Sequence, residues 1–269
     1  MRDYISPAQL SCFSACPERY RRRYMLGEKR PPGVAMIVGG SVHAAAEANG
    51  RQKIESHEDL SVDDITNRAA QAYDDKLDED GVVLMPEEKS RKSRVLGAGK
   101  DRAVKMSALY RRKVSPKIQP VMVEEKLRIE LNDGLPDLLG IADVITDDNI
   151  VIDYKVVGRA INQERVDANL QLTAYGLCYN ILYGKQPKVA LEVMVSNGET
   201  QSLISERSEA DYGKFIWRIN LMVGMIDFFV NKIGTDNPWW PMDRSAWDSQ
   251  SCSDRFCGFS ADCPYYSHN

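Results

Sequence analysis

The chain has 269 residues, of which 43% are hydrophobic and 28% charged, and carries a net charge of −4 at pH 7. A chain of this length can build a sufficient hydrophobic core, so its six cysteines are not needed as staples for a small fold. The first residues, Met1-Arg2-Asp3-Tyr4, form no apolar signal region, and the longest apolar-rich stretch, Phe215 to Val230, is broken by Arg218, Asn220 and Asp227, which excludes a membrane span. A reducing cytoplasm, where thiols stay free, is the expected location.

Ser6 caps a first helix with Pro7 at its first turn, expected to run to about Leu26 before Pro31-Pro32-Gly33. Gly39-Gly40-Ser41 opens a second helix through His43, and Ser61-Val62-Asp63-Asp64 caps a third. Pro86 opens a long basic helix that ends before Pro116. Charge is unevenly spread: Lys89 to Lys117 holds 11 Lys/Arg against one acid, whereas Glu47 to Glu88 holds 13 acids against four bases. The basic run is therefore a candidate nucleic-acid surface despite the negative total.

From Pro120 the pattern changes. Strands are predicted over Val121 to Leu131, Leu138 to Thr146 and Ile150 to Val157, with Asp147-Asp148-Asn149 as the turn between the last two. A helix follows from Gln163 to Leu182, then strands near Val189 to Val195 and Gln201 to Ile204. A last helix, capped by Ser208, carries a core stripe including Phe215, Ile219, Met222, Ile226 and Phe229. From Gly234 the chain is loop-like. This order predicts one mixed α/β (α+β) domain over residues 1–269: a helical part to about 118, a sheet-bearing core over about 119–234, and a cysteine-bearing tail over about 235–269.

An acid-x-Lys triplet occurs four times, at Asp74, Glu87, Glu124 and Asp153, so the triplet alone carries no information. Only Asp153 is embedded in an apolar run, Ile150-Val151-Ile152 before it and Val156-Val157 after Lys155. Period two puts Asp153 and Lys155 on one face. A three-residue turn places Thr146 opposite Ile150 and Asp143 opposite Asp153. Two facing carboxylates repel each other, and a hard divalent cation relieves that repulsion. Such an ion lowers the pKa of a bound water, and Lys155 is placed to orient that water or to stabilise developing charge. A salt-bridged structural hairpin is the bland alternative. His43, between glycines and alanines, is positioned to complete a metal site, and Gln171 and Tyr175 share a helix face. The tail cysteines read Cys252-x4-Cys257-x5-Cys263 with no Cys-x2-Cys anywhere. Iron–sulfur clusters take four thiolates, and spacing leaves Cys12 and Cys16 both open as the fourth.

In chain order, Cys16-Pro17-Glu18-Arg19-Tyr20, Gly39-Gly40-Ser41-Val42-His43, Gly140-Ile141-Ala142-Asp143, Ile152-Asp153-Tyr154-Lys155, Gln171-Leu172-Thr173-Ala174-Tyr175 and the cysteine tail resemble the RecB-like nucleases of the PD-(D/E)XK superfamily. The resemblance spans most of the chain. It implies a restriction-endonuclease-like central mixed sheet flanked by helices, with a helical insert. It implies that His43, Asp143, Asp153 and the Tyr154 carbonyl hold Mg²⁺ or Mn²⁺, that Lys155 assists the attacking water, and that Gln171 and Tyr175 complete the catalytic set with Asp143 and Asp153. It selects Cys16, with Cys252, Cys257 and Cys263, as ligands of a [4Fe–4S] cluster joining the N- and C-terminal segments, with structural zinc as the alternative and Trp247, Phe256, Phe259, Tyr265 and Tyr266 as its shield.

The implied function is a deoxyribonuclease of the stand-alone phage or CRISPR-associated kind, an exonuclease on single strands or duplex ends in recombination, repair or CRISPR adaptation, within a bacterium or a phage-infected host. Gly97-Ala98-Gly99-Lys100-Asp101 lacks the first glycine and the Ser/Thr of a P-loop. No nucleotide cofactor is therefore expected, and any unwinding requires a helicase or recombinase partner. The rival classes are a non-catalytic DNA-binding or assembly subunit and a zinc-structured interaction module.

Overall fold

The computed structural model describes residues 3–131, 134–239, 252 and 257–265. In chain order its elements are β1 (Tyr4–Ile5), α1 (Pro7–Ala15), α2 (Pro17–Tyr20), α3 (Val34–Ser56), α4 (Val62–Asp80), α5 (Pro86–Lys89), α6 (Lys92–Leu109), β2 (Pro120–Ile129), β3 (Asp137–Thr146), β4 (Ile150–Val157), α7 (Gln163–Asp167), α8 (Leu170–Tyr183), β5 (Lys188–Val195), β6 (Thr200–Ser205) and α9 (Glu209–Lys232). The strands form a mixed sheet in the order β1-β3-β4-β5-β6, with β2 also on β3. β3 and β4 are antiparallel and β4 and β5 parallel. This is a restriction-endonuclease-like α/β fold with a central sheet and flanking helices. No helix among the described residues is long and apolar enough to cross a membrane.

Several predicted helices are broken, each for a local reason. Pro17 forces Cys16 out of the helical region, to φ −166° and ψ 114°, so the first helix splits into α1 and α2. A π-helical turn over Arg21–Met25 follows. The glycine pair does not start α3; Gly33 precedes its first residue, Val34, and Gly39 and Gly40 lie inside it. The basic helix breaks between α5 and α6. The helix after the hairpin divides at Asn169, whose side chain accepts from Gln171 and Leu172 N–H and caps α8.

Two compact units result. The larger comprises Pro31–Leu127 and Gly140–Ser208. In it α3, α4 and α6 pack on one another and on one face of the sheet. Val42, Ala45 and Ala46 of α3, Ile65 and Ala69 of α4 and Met106 of α6 share a core with Val144, Ile152, Tyr154, Ala190 and Met194. α8 packs on β4 and β5. The smaller unit comprises Met1–Arg30, Arg128–Leu139 and Glu209–Asn269. There α1 packs on α9, Phe13 meets Tyr20 edge-on at 5.4 Å between centroids, and Phe229 stacks on Trp239 at 5.1 Å.

Candidate active site

The hairpin register Val144↔Ile152 and Ile145↔Val151 puts Asp143 in line with Asp153 at the point where the paired residues stop. There the Asp143 carboxylate replaces a strand partner: its Oδ2 accepts the Tyr154 backbone N–H at 2.6 Å. Its Oδ1 lies 3.2 Å from Nδ1 of His43 on α3. Asp153 is 2% exposed. Its Oδ2 is 2.6 Å from Lys155 Nζ. That ion pair lacks hydrogen-bond alignment, and the oxygen has no other partner among the described residues. Lys155 Nζ also donates to Gln171 Oε1 at 3.2 Å, and Gln171 Nε2 donates to the Tyr175 hydroxyl at 2.5 Å. A polar chain thus runs from Asp153 through Lys155 and Gln171 to Tyr175.

Gly140 is required by this chain. A Cβ at residue 140 would come within 2.7 Å of Tyr175 Cδ1, so only glycine lets that ring lie against β3. Gly50 acts similarly for α3, where an added Cβ would meet Val123 Cγ2 at 2.8 Å. That close approach seats α3 beside β2 just before Glu124.

Glu124 is the site residue that sequence reasoning missed. It has a left-handed backbone, φ 53°, within a strand. Such a conformation costs a non-glycine residue about 1–3 kcal/mol. Ligand atoms of His43, Glu124 and Asp143 lie within 4.8 Å of one another, close enough to share one cation. The available signal was the Glu124-Glu125-Lys126 triplet on a predicted strand; strand alternation could not reveal a residue that leaves it.

The electrostatics suit a divalent cation. Burial and then the nearby Asp143 and Glu47 push Glu124 up to about 7. Burial, and to a lesser degree Asp143, raises Asp153 to about 6 against the opposing pull of Lys155. Burial works to lower the His43 value, but Asp143 and Asp153 outweigh it and raise it. Crowded, desolvated carboxylates, one of them with a buried oxygen that is ion-paired but accepts no aligned hydrogen bond, are the donor set a hard divalent ion satisfies.

The cysteines do not form a second metal centre. Among the described residues the ligand group that gathers is His43, Glu124 and Asp143, and no group of cysteines does so. All six cysteines are free. Cys16 is within electrostatic reach of Cys252 and Cys257, but burial pushes its thiol up to about 11, towards the protonated form. Its sulfur accepts the Arg19 N–H at 3.5 Å and caps α2. The expected [4Fe–4S] cluster on Cys16, Cys252, Cys257 and Cys263, and its zinc alternative, are therefore corrected: the candidate metal ligands are imidazole and carboxylates. Of the expected aromatic shield, Phe259 instead receives the guanidinium groups of Arg22 and Arg30 at 4.8 and 5.0 Å. Trp247, Phe256 and Tyr266 lie outside the described residues.

The model of the PD-(D/E)XK nuclease superfamily matches residues 4–264. The chain belongs to this superfamily. Comparison with curated proteins finds no match. Among solved structures, the chain is similar to a provisionally named exonuclease from Eubacterium rectale, with a TM-score of 0.53 and 12% identity over 92% of this chain and 86% of that one. At that identity the likeness concerns the fold. A second structure, of the protein SSO0001, aligns at a TM-score of 0.38 and 14% identity over 93% of this chain and 95% of that one.

Proposed function

We propose that this protein is a Mg²⁺- or Mn²⁺-dependent deoxyribonuclease that acts as an exonuclease at single-stranded or duplex DNA ends. The observation that carries the reading is the convergence of His43, Glu124 and Asp143 beside a buried Asp153–Lys155 pair, within a PD-(D/E)XK nuclease chain. His43, Glu124, Asp143 and Asp153, with the Tyr154 carbonyl, are the groups that would hold the ion, which when bound supplies Lewis acidity and a lowered water pKa. Soft thiolate ligands are not needed for that chemistry, and a carboxylate-rich set favours Mg²⁺ or Mn²⁺.

The chain's own groups divide the remaining work. Lys155, fixed between Asp153 and Gln171, orients the attacking water and faces the charge that grows on the phosphate. Gln171 holds the ammonium in place and is itself held by Tyr175. Asp143 ties β3 to the Tyr154 N–H and so fixes the spacing of the two acidic strands. Preorganisation of this kind places the donors before substrate arrives. The exonuclease assignment rests on the family resemblance, which also implies recombination, repair or CRISPR adaptation as the setting and a separate motor protein for any unwinding.

The test is cleavage of end-labelled single- and double-stranded DNA with and without Mn²⁺. Release of mononucleotides or short products from labelled ends is expected. Asp153→Ala and Lys155→Ala are each expected to lower the rate by at least about 10²-fold, the scale of removing a positioned electrostatic group, with far-UV circular dichroism unchanged. A wild-type protein that binds DNA but never cuts it would instead identify a binding subunit that has kept the fold.

A further inference from the structure

Between Glu47 and Glu88 the chain has 13 acids and only four bases, Arg51, Lys53, Arg68 and Lys76. Lys53 is buried and spent internally, 3.1 Å from Asp59. The other three lie along one surface. Arg51 and Arg68 line an open groove of about 710 Å³ between α3 and α4, together with the amides Gln52, Asn67 and Gln71. Lys76, farther along α4, lies across α3 at Gly40, where an added Cβ would meet its Cε at 2.8 Å and its Nζ at 3.3 Å. Gly40 is thus the slot that admits this lysine. His43 is three residues on, and side chains so spaced on a helix are about 5–6 Å apart. The row His43, Glu47, Arg51 then leads from the candidate metal ligand to the groove at four-residue intervals.

The acids on this path are already engaged. Glu47 accepts from Arg51 at 2.9 Å. Asp64, at the groove, accepts the hydroxyl of Ser61, the N-cap of α4, at 2.6 Å. Asp74 is held by Lys100 and Asp75 by Gln71 at 2.7 Å. Arg68 and Lys76 make no hydrogen bond or ion pair with any other described residue. An acidic helix thus keeps its only two cations free, and both are beside the path to the metal ligands.

We propose that the α3–α4 groove is the track of a single strand of nucleic acid entering or leaving the active site, with phosphates held by Arg68 and Lys76 and with the groove amides on sugar or base edges. The proposal rests on the nuclease reading. From Gly40 to Arg51 the helix rises about 16 Å, the length of about four or five phosphates of a stacked strand. Packed helices are only about 8–10 Å apart, which suits one strand and not a duplex. The basic run from Lys89 to Lys117 is a weaker rival because several of its cations are occupied internally: Lys100 by Asp74, Arg111 by the Leu60 carbonyl and Lys113 by the Gly198 carbonyl.

The test is a salt titration of binding to a labelled single-stranded oligodeoxynucleotide in Ca²⁺, a cation chosen to support binding without turnover. The paired change Arg68→Gln/Lys76→Met keeps side-chain length and removes both charges. It should weaken binding and make the slope of log affinity against log salt shallower by about 1.4, or about 0.7 for each phosphate no longer neutralised. In Mn²⁺ its effect should fall on KM and leave kcat close to wild type. Gly40→Ala, which only pushes Lys76 aside, should flatten the slope by about 0.7. If wild type binds and the paired variant keeps the wild-type slope, the groove is not the track. The groove is likewise excluded if a Lys92→Ala/Arg94→Ala/Lys105→Ala triple variant flattens the slope in its place. A wild-type protein that neither binds nor cuts DNA overturns the nuclease reading itself, a result distinguishable from either of these.

Discussion

At the scale of single residues, the candidate site combines side chains that the sequence makes visible with one that it conceals. Asp143, Asp153 and Lys155 are legible because an acid in an apolar strand needs compensation and because a three-residue turn fixes the register that aligns them. Glu124 is concealed because its left-handed φ of 53° breaks the strand period on which such reading depends. That strain, added to repulsion from Asp143 and Glu47, makes Glu124 a residue kept at a cost to stability. Glu124→Gln should raise the melting temperature of the metal-free protein, since it removes a crowded charge. It should also weaken Mn²⁺ binding roughly 10–100-fold, the range seen when a group supporting a metal site is lost. Calorimetric titration beside a thermal melt reads both, and a variant with lowered stability and intact Mn²⁺ affinity would mean that Glu124 is structural. Gly140 offers a second check. Gly140→Ala drives a methyl into the Tyr175 ring and so disturbs the Gln171–Lys155 chain without touching His43 or Glu124. Cleavage should fall by about 10-fold or more, as expected for a displaced positioning group, while Mn²⁺ affinity holds. Loss of both together would place Tyr175 nearer the metal than its hydrogen bonds indicate.

At the scale of elements, strands were read more truly than helices. The hairpin and the two later strands follow from period two and from turn residues. Helix ends were misplaced where a local rule outranked periodicity: Pro17 splits the first helix, and Asn169 caps α8 within what reads as one helix. The packing of α3 against the segment after α6 was not legible at all, because its contacts are far apart in sequence. There Asp59 accepts from Asn49 at 2.8 Å and Lys53 at 3.1 Å, and also from the Ser115 hydroxyl. Asp59 and Lys53 are each 8% exposed. Burial works to raise the Asp59 value, but Ser115, Asn49 and Lys53 outweigh it and hold it below the ordinary carboxylate range. A depressed folded value contributes stability that is present above the unfolded pKa, about 3.9, and is lost as pH falls below it. Asp59→Ala leaves the Lys53 ammonium buried without its counter-ion and should cost about 3–5 kcal/mol. The loss should shrink as the pH of the urea melt is lowered from neutrality towards 3. A cost below about 1 kcal/mol at pH 7 would mean that water already reaches this pair.

At the scale of the whole molecule, the candidate metal ligands all belong to the larger unit, while both chain ends belong to the smaller one. The sequence reading joined the two ends through a cysteine-ligated cluster, and no group of cysteines gathers among the described residues. Within the smaller unit the agent is charge. Arg22, 9% exposed, is 2.7 Å from Asp262 and 2.9 Å from Glu28, and Arg30 reaches the same Asp262 carboxylate at 3.1 Å. Arg22 and Arg30 both also lie against the Phe259 ring. Nearby, Glu18 takes two hydrogen bonds from Arg21 and the Trp239 N–H at 2.7 Å. Periodicity and spacing cannot show such a clamp, because its two sides, Arg22 to Arg30 and Phe259 to Asp262, are more than 200 residues apart. Hydrogen bonding to Arg22, with the further charge of Arg30, lowers Asp262 to about 2. The clamp's contribution is therefore complete above about pH 4, the unfolded carboxylate value, and fades as pH falls towards 2. Arg22→Ala removes the central member and leaves Glu28 and Asp262 facing each other across the missing guanidinium. The segment around Phe259 should then detach and be cut by a nonspecific protease at neutral pH, whereas in the wild type comparable cutting should begin only below about pH 4. Mass spectrometry of timed digests locates the cuts. If Arg22→Ala digests like wild type at neutral pH, the ends are held by something other than this cluster of charges.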